Sequence, residues 1–145
     1  MNSAHVHVGR LLELRAIKGY RTAEDVEAMF VSIEREYAKL PPAVRTVNVV
    51  DWRSLPLMTG DASTRLFQLM AQYNLRVERS AILASREAPT AVMQFVRVIS
   101  ETKHPDRRLF YDIDELQAWL DEVLSSEESA RLRSFLAQPA PTRRG

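Results

Sequence analysis

The stretch TAEDVEAMFVSIEREYAKLPPAVRTVNVVDW, residues 22–52, decides the fold. Its first half carries apolar residues that recur every three or four positions, which is the pattern of one buried helix face. Thr22 ahead of two acidic residues is typical of a helix start, and Pro41-Pro42 ends the helix because a proline ring cannot continue it. The second half, residues 46–52, is rich in β-branched residues and predicts a central strand. The apolar positions of the helix are Val26, Met29, Phe30, Ile33 and Tyr37.

Upstream of this unit, polar and apolar residues alternate over residues 5–8 and again over residues 11–17, which is the period of half-buried strands. The short join at Gly9-Arg10 predicts a β-hairpin. His5 and His7 fall on one face of the first strand and could offer two imidazoles to a metal. Two ligands do not complete the usual four-ligand site, so we expect a solvated strand face and no metal.

Downstream, the pattern of helix and strand repeats. We expect Asp61 to cap a second helix, residues 77–85 to form a buried strand, and Pro89 to open a third helix as a first-turn proline. The predicted apolar stripes are Leu66, Leu69, Met70 and Tyr73 in the second helix, and Val92, Phe95, Val96 and Ile99 in the third.

The last third of the chain predicts a short strand at residues 108–111, followed by capping-box patterns at 112–115 and 125–128. The second box either restarts the fourth helix or begins a fifth. The order predicts one α/β domain over residues 1–138, with a four- to five-stranded, mostly parallel sheet opened by a hairpin and with four to five helices. Residues 139–145 are rich in proline and arginine and are expected to form a disordered basic tail.

Composition narrows the function class. The 145 residues include 20 basic and 19 acidic side chains, so no strong net charge favours binding to nucleic acid or to an anionic membrane. The chain has no cysteine, which excludes disulfides, thiol catalysis and thiolate metal sites. No apolar run approaches the roughly 20 residues that span a bilayer. Residues 1–8 lack a secretory signal, and we expect a cytoplasmic protein.

The sequence contains no motif of a known catalytic site. Gly-x-Ser-x-Gly, the P-loop and Gly-x-Gly-x-x-Gly are all absent, and the chain has only four glycines. We therefore predict a protein that is not an enzyme and has no cofactor. A protein partner is expected, and homo-oligomerisation is left open.

Three stretches carry a resemblance to a known family. They are GYRTAED at residues 19–25, with the pattern Gly-x-x-Thr-x-Glu, VVDWR at 49–53, and FYDIDELQAWL at 110–120. Together with the order of elements, they resemble the STAS domains, the anti-sigma-factor-antagonist-like family, over roughly residues 4–124. The resemblance implies a diverged, STAS-like regulatory module that acts through protein–protein interaction.

The resemblance also implies a partner-binding surface after the central strand, and a phosphorylated Ser or Thr where the second helix begins. DASTR at residues 61–65 departs from the family's Asp-Ser-Ser/Thr-Gly signature, since Ala62 stands where a serine is expected. The predicted partner-binding residues are Asp51, Trp52, Arg53, Ser54, Asp61, Ser63 and Thr64, with Ser63 as the candidate phosphosite.

Each of these residues also has a purely structural interpretation. Ser63 is an ordinary serine for a first helical turn, and Asp51 could cap its loop or pair with Arg53. Trp52 is an interaction anchor if it is exposed, or a plug at the end of the sheet if it is buried.

A second hypothesis is a small-molecule or lipid-binding domain, because STAS domains resemble the lipid-carrying CRAL-TRIO domains in strand and helix order. Methionine and phenylalanine side chains could line an adaptable cavity, although their helical spacing is equally that of an ordinary core. The candidate lining residues are Met29, Phe30, Met58, Phe67, Met70 and Met93.

Overall fold

The computed structural model describes residues 2–140, which form one α/β domain with five strands and five helices. The strands are β1 (Ser3–Val6), β2 (Leu11–Arg15), β3 (Thr46–Asp51), β4 (Val77–Leu83) and β5 (Arg107–Phe110). The helices are α1 (Ala23–Tyr37), α2 (Gly60–Gln72), α3 (Pro89–Glu101), α4 (Ile113–Asp121) and α5 (Ser126–Ala137), with a 3-10 turn at Asn74–Arg76. Most of the predicted basic tail, residues 141–145, lies outside the described residues.

The strands lie in the sheet in chain order, β1-β2-β3-β4-β5. β1 pairs antiparallel with β2, which confirms the predicted hairpin, and every later pair is parallel. Gly9 makes the tight join possible because its φ of +56° lies in the left-handed region, which side chains with a Cβ disfavour. The fold class expected from the sequence is therefore confirmed.

The helices divide between the two faces of the sheet. Because the parallel strands advance in one direction and such crossovers share one hand, α1, α2 and α3 all pack on the same face. α4 and α5 follow the last strand and return over the opposite face. Each face has its own apolar cluster, with Phe95 central on the first and Leu116, Leu120 and Leu132 fully buried on the second.

Local capping sets most helix boundaries. Thr22 and Asp25 form a reciprocal capping box at the start of α1, and Ser125 and Glu128 form another that begins α5 as a separate helix. The cap of α2 differs from the prediction. The hydroxyl of Thr59, not the carboxylate of Asp61, accepts from the Ala62 amide at 3.2 Å, because the helix begins one residue before Asp61.

One predicted stripe residue is also misplaced. Val96 is 52% exposed, and Val98 is buried on the inner face of α3 instead. The remaining stripe residues of α1 and α2 pack against the sheet as expected.

Candidate functional site

The predicted partner-binding residues do not form one surface. Asp51, Trp52 and Arg53 lie at the carboxyl end of β3, where they are buried or half-buried. Ser54 follows in a half-buried turn. Asp61, Ser63 and Thr64 lie about ten residues further on, in the first turns of α2. The two groups are engaged in different contacts, and Ser63 and Thr64 of the second group line a surface groove.

Asp51 is completely buried and lies between two arginines. Arg53 donates from Nε to Oδ1 at 3.0 Å and from Nη2 to Oδ2 at 2.9 Å, which is a two-pronged contact. Arg15 donates from Nη1 to Oδ2 at 2.7 Å. The structural interpretation of Asp51 describes its contacts, because the carboxylate pairs with Arg53 and also caps its loop by accepting from the Arg53 amide at 3.2 Å.

The same two arginines hold the end of α5. Arg15 Nη2 donates to the Phe135 carbonyl at 2.9 Å, and Arg53 Nη2 donates to the Gln138 carbonyl at 3.3 Å. The Arg15 guanidinium also lies 4.1 Å from the centre of the Phe135 ring. Burial lowers the pKa of Arg15, although the nearby Asp51 carboxylate opposes that shift. The cluster therefore attaches a helix to the sheet.

A second ion pair joins α5 to β2. Arg131 donates to both carboxylate oxygens of Glu13, at 2.7 and 2.8 Å, and this hydrogen bonding raises the pKa of Arg131. Glu13 is only 4% exposed. The alternation of β2 predicted a half-buried strand, but α5 covers its polar face, so that expectation was wrong. The spacing of Glu128, Arg131 and Phe135 along one helix face indicates in the sequence which side of α5 packs inward, but not which strand it covers.

Trp52 is 5% exposed and packs against Phe95 of α3, with ring centres 5.0 Å apart. Its backbone amide donates to the Leu83 carbonyl at 2.9 Å, which continues the sheet ladder by one residue. The buried alternative therefore describes Trp52, and its ring is not available as a surface anchor.

The loop that leads into α2 is held firmly in place. The side-chain amide of Gln94 donates from Nε2 to the Met58 carbonyl at 2.9 Å and accepts from the Met58 amide at 2.8 Å. The Thr59 hydroxyl donates to the Arg21 carbonyl at 3.0 Å. These contacts fix the start of α2 relative to both α1 and α3.

A surface groove of about 460 Å³ runs between α2 and α3, and we call it the α2–α3 groove. Ser63 and Thr64 line one wall, and the side chain of Met93, which is 74% exposed, lines the other. The Ser63 hydroxyl donates to the Gly60 carbonyl at 3.0 Å. The complete lining is Gly60, Ser63, Thr64 and Phe67 from α2, and Met93, Gln94, Arg97, Val98 and Glu101 from α3.

A separate, much smaller cavity of about 50 Å³ lies inside the domain, between the sheet and helices α1 and α2. A cavity that accepts benzene has about 150 Å³, so this one does not hold an acyl chain. Five of the six candidate cavity residues are divided accordingly: Met29, Phe30 and Met70 line the internal cavity, whereas Phe67 and Met93 line the α2–α3 groove. Met58 is buried and lines neither.

The histidines near the amino terminus lie beside each other on the surface. The rings of His5 and His7 are 5.2 Å apart, and both residues are exposed. Within residues 2–140, no three His, Asp or Glu side chains are close enough together to hold a metal ion. In the same part of the chain, no helix is both long enough and apolar enough to cross a membrane.

This arrangement of five strands and two helical layers has a counterpart among solved structures. The chain has a SpoIIAA-like fold. It superimposes on an uncharacterised protein of the DUF3478 family from Shewanella loihica PV-4, described as having a SpoIIAA-like fold, with a TM-score of 0.59 and 20% identity. The match covers 83% of this chain and 95% of that one. No protein-family model and no curated protein matches the sequence.

At this level of identity the SpoIIAA-like match establishes the fold alone. It confirms the architecture that the STAS resemblance implies, with its opening hairpin and its successive βα units.

Proposed function

We propose that this chain is a STAS-like regulatory module without catalytic activity, and that it acts by binding another protein in the α2–α3 groove. The observation that carries the proposal is the groove itself, a concave surface where polar side chains adjoin the exposed side chain of Met93. Leu57, in the loop before α2, is 54% exposed. Apolar side chains that remain in water beside a polar rim are typical of interaction sites.

The chemistry of the groove indicates what a partner must supply. Met93 and Phe67 offer apolar contact area at its centre. Arg97 lines the groove and forms no ion pair with any described carboxylate. We therefore expect a partner segment that places an apolar side chain against Met93 and an acidic side chain against Arg97.

We propose Ser63 as the regulatory position of the same surface. It lies in the first turns of α2, where the helix dipole favours negative charge. A phosphate on Ser63 would place its charge in the groove and oppose the acidic group of the partner. Phosphorylation of Ser63 is thus expected to release the partner.

The test is site-specific photocrosslinking in cells. A photoreactive residue replaces Met93 in one variant and Leu75, which is 89% exposed in the turn after α2, in a second, matched variant. We expect Met93 to crosslink one defined partner and Leu75 not to crosslink it. The purified pair should then lose at least ten-fold in affinity on Met93→Glu, because burying an unpaired carboxylate in an apolar contact costs well over about 1.4 kcal/mol.

Several outcomes would contradict the proposal. Equal crosslinking from both positions would show that the groove is not selective. Crosslinks only to other copies of the chain would assign the groove to self-association. Unchanged affinity on Ser63→Glu would remove Ser63 from the regulatory role while leaving the binding surface intact.

A further inference from the structure

A row of three polar side chains crosses the sheet beneath α1 and α2. Asn48 of β3 is in register with Ser80 of β4, and Ser80 is in register with Arg107 of β5. Residues in register on neighbouring strands point to the same face, so all three lie under the helices. Their exposed fractions are 5%, 1% and 7%.

Arg107 is a buried cation without a carboxylate. Its Nη2 donates to the Met70 carbonyl at 2.9 Å and to Asn74 Oδ1 at 3.1 Å, while its Nε has no hydrogen-bond partner. Burial without an opposing carboxylate lowers the pKa of Arg107 to about 10. Buried charges are normally paired, so this guanidinium is unusual.

At the other end of the row, Oδ1 of Asn48 is also buried without a partner. Ser80 lies between the two unsatisfied groups, and all three residues line the internal cavity. Neighbouring strands are about 4.8 Å apart, so the Cα atoms of Asn48 and Arg107 are roughly 10 Å apart and their side chains can face each other over the small serine. The remaining walls, which include Phe30, are largely apolar.

We propose that this cavity binds a small α-hydroxy carboxylate of two carbons. The carboxylate accepts from the Nε–H of Arg107 and neutralises its charge, and the ligand hydroxyl donates to Oδ1 of Asn48. Each unsatisfied group thus receives the complementary partner, an anionic acceptor for the cation and a donor for the amide oxygen.

The size of the cavity limits the ligand. A water-sized group needs at least about 10–15 Å³, so the volume of about 50 Å³ admits about four such groups. Glycolate has five covalently packed heavy atoms and is close to that limit. This site is on the inner side of α2, whereas the α2–α3 groove is on its outer side, so the inference is independent of the proposed protein interaction.

The test observes Arg107 directly. Wild-type protein is titrated with glycolate, acetate and sodium chloride while the arginine Nε–H resonances are followed by ¹H–¹⁵N NMR. We expect glycolate to shift the Arg107 resonance saturably and the exposed Arg133 resonance not at all. Acetate should bind roughly ten-fold more weakly, because it leaves the buried Asn48 oxygen without a donor.

Two variants separate binding from folding. Asn48→Leu removes the unpaired acceptor and should abolish the preference for glycolate over acetate. Ser80→Val fills the space between the two groups without changing Arg107, and it should abolish the shift.

The proposal is overturned if glycolate and sodium chloride shift the Arg107 resonance of wild-type protein equally. It is also overturned if folded Ser80→Val still binds glycolate, or if a crystal grown with glycolate contains only water in the cavity. The titration and the crystal need only wild-type protein. They therefore decide the question even if the Ser80→Val variant does not fold.

Discussion

Two clusters of buried polar groups, on opposite faces of the sheet, differ in whether their charges are paired. Under α4 and α5, Asp51 lies between two arginines, and the Glu13 carboxylate accepts hydrogen bonds from two nitrogens of Arg131. Under α1 and α2, Arg107 is buried without a carboxylate and Asn48 keeps an unpaired oxygen. The first cluster attaches a helix to the sheet, and the second leaves polar groups unsatisfied beside a cavity. The difference indicates that the first polar cluster is structural and that the second is available to a ligand.

The largest effect should come from Asp51→Asn. Removing one member of a buried ion pair leaves the other charge without compensation, and Asp51 compensates two arginines. We expect the free energy of unfolding to fall by about 3 kcal/mol, as measured by urea denaturation. Asp61→Asn, on an exposed carboxylate of α2, is the matched control and should change stability by less than about 0.5 kcal/mol. Equal effects of the two variants would show that the buried Asp51 cluster does not stabilise the fold more than an exposed carboxylate does.

Glu13→Gln should have the next largest effect, a loss of about 2 kcal/mol in the free energy of unfolding. The effect is smaller than at Asp51 because the Arg131 side chain is 31% exposed and can turn towards water when its partner is lost. The measurement is the same denaturation series. A loss as large as that of Asp51→Asn would mean that Arg131 cannot reach solvent.

The stability that Glu128 contributes to the packing of α5 depends on pH. Burial would raise the pKa of Glu128, but hydrogen bonds from the amides of Arg10 and Ser125 outweigh it, so the pKa lies below the ordinary value of 4.5. A lowered carboxylate pKa contributes stability above the unfolded pKa, and that stability is lost as the pH falls through the folded pKa.

Glu128→Gln should therefore cost about 1 kcal/mol at pH 7, and the wild-type and variant stabilities should converge as the pH falls below 4.5. Thermal unfolding between pH 7 and pH 3 measures this. A difference that stays constant over that range would assign the effect to packing and not to the charge of Glu128.

The smallest change is expected on the opposite face, from Asn48→Leu. Leucine has a similar volume and removes an unpaired buried oxygen, so the lost contacts of the amide are offset. We expect a change of less than about 1 kcal/mol of either sign, measured by urea denaturation. A loss near that of Asp51→Asn would show that the polar row under α1 and α2 is also structural.

The local features of the fold were predictable because their causes lie within a few residues of one another. The spacing of apolar residues predicted α1, and the capping boxes at Thr22 and Ser125 predicted two helix starts. The sequence analysis assigned the cap of α2 to the wrong residue because Thr59 and Asp61 are both good capping residues. Which of the two begins the helix depends on how the preceding loop is anchored, here by the hydrogen bond from Thr59 to the Arg21 carbonyl.

The candidate site was predictable only in part. The sequence indicated the segment from Asp51 to Thr64, but it did not show that the segment divides between the buried arginine cluster and the α2–α3 groove. The role of the groove residues in partner binding remains a prediction. The polar row in the internal cavity was missed because Asn48 and Arg107 are far apart in the sequence and meet only through the register of β3, β4 and β5.

The sequence by itself determined the elements, their order and the α/β class of the fold, because periodicity, capping and turn chemistry act between near neighbours. The tertiary structure alone decided which polar groups become paired. Glu13 and Arg131 are separated by 118 residues along the chain and pair only because α5 returns over the sheet. Arg107 lies on the opposite face, where the partners of its guanidinium are the Met70 carbonyl and the Asn74 side chain and none of the described carboxylates pairs with it. Charge pairing across such separations depends on which face each helix covers, and no local pattern specifies that.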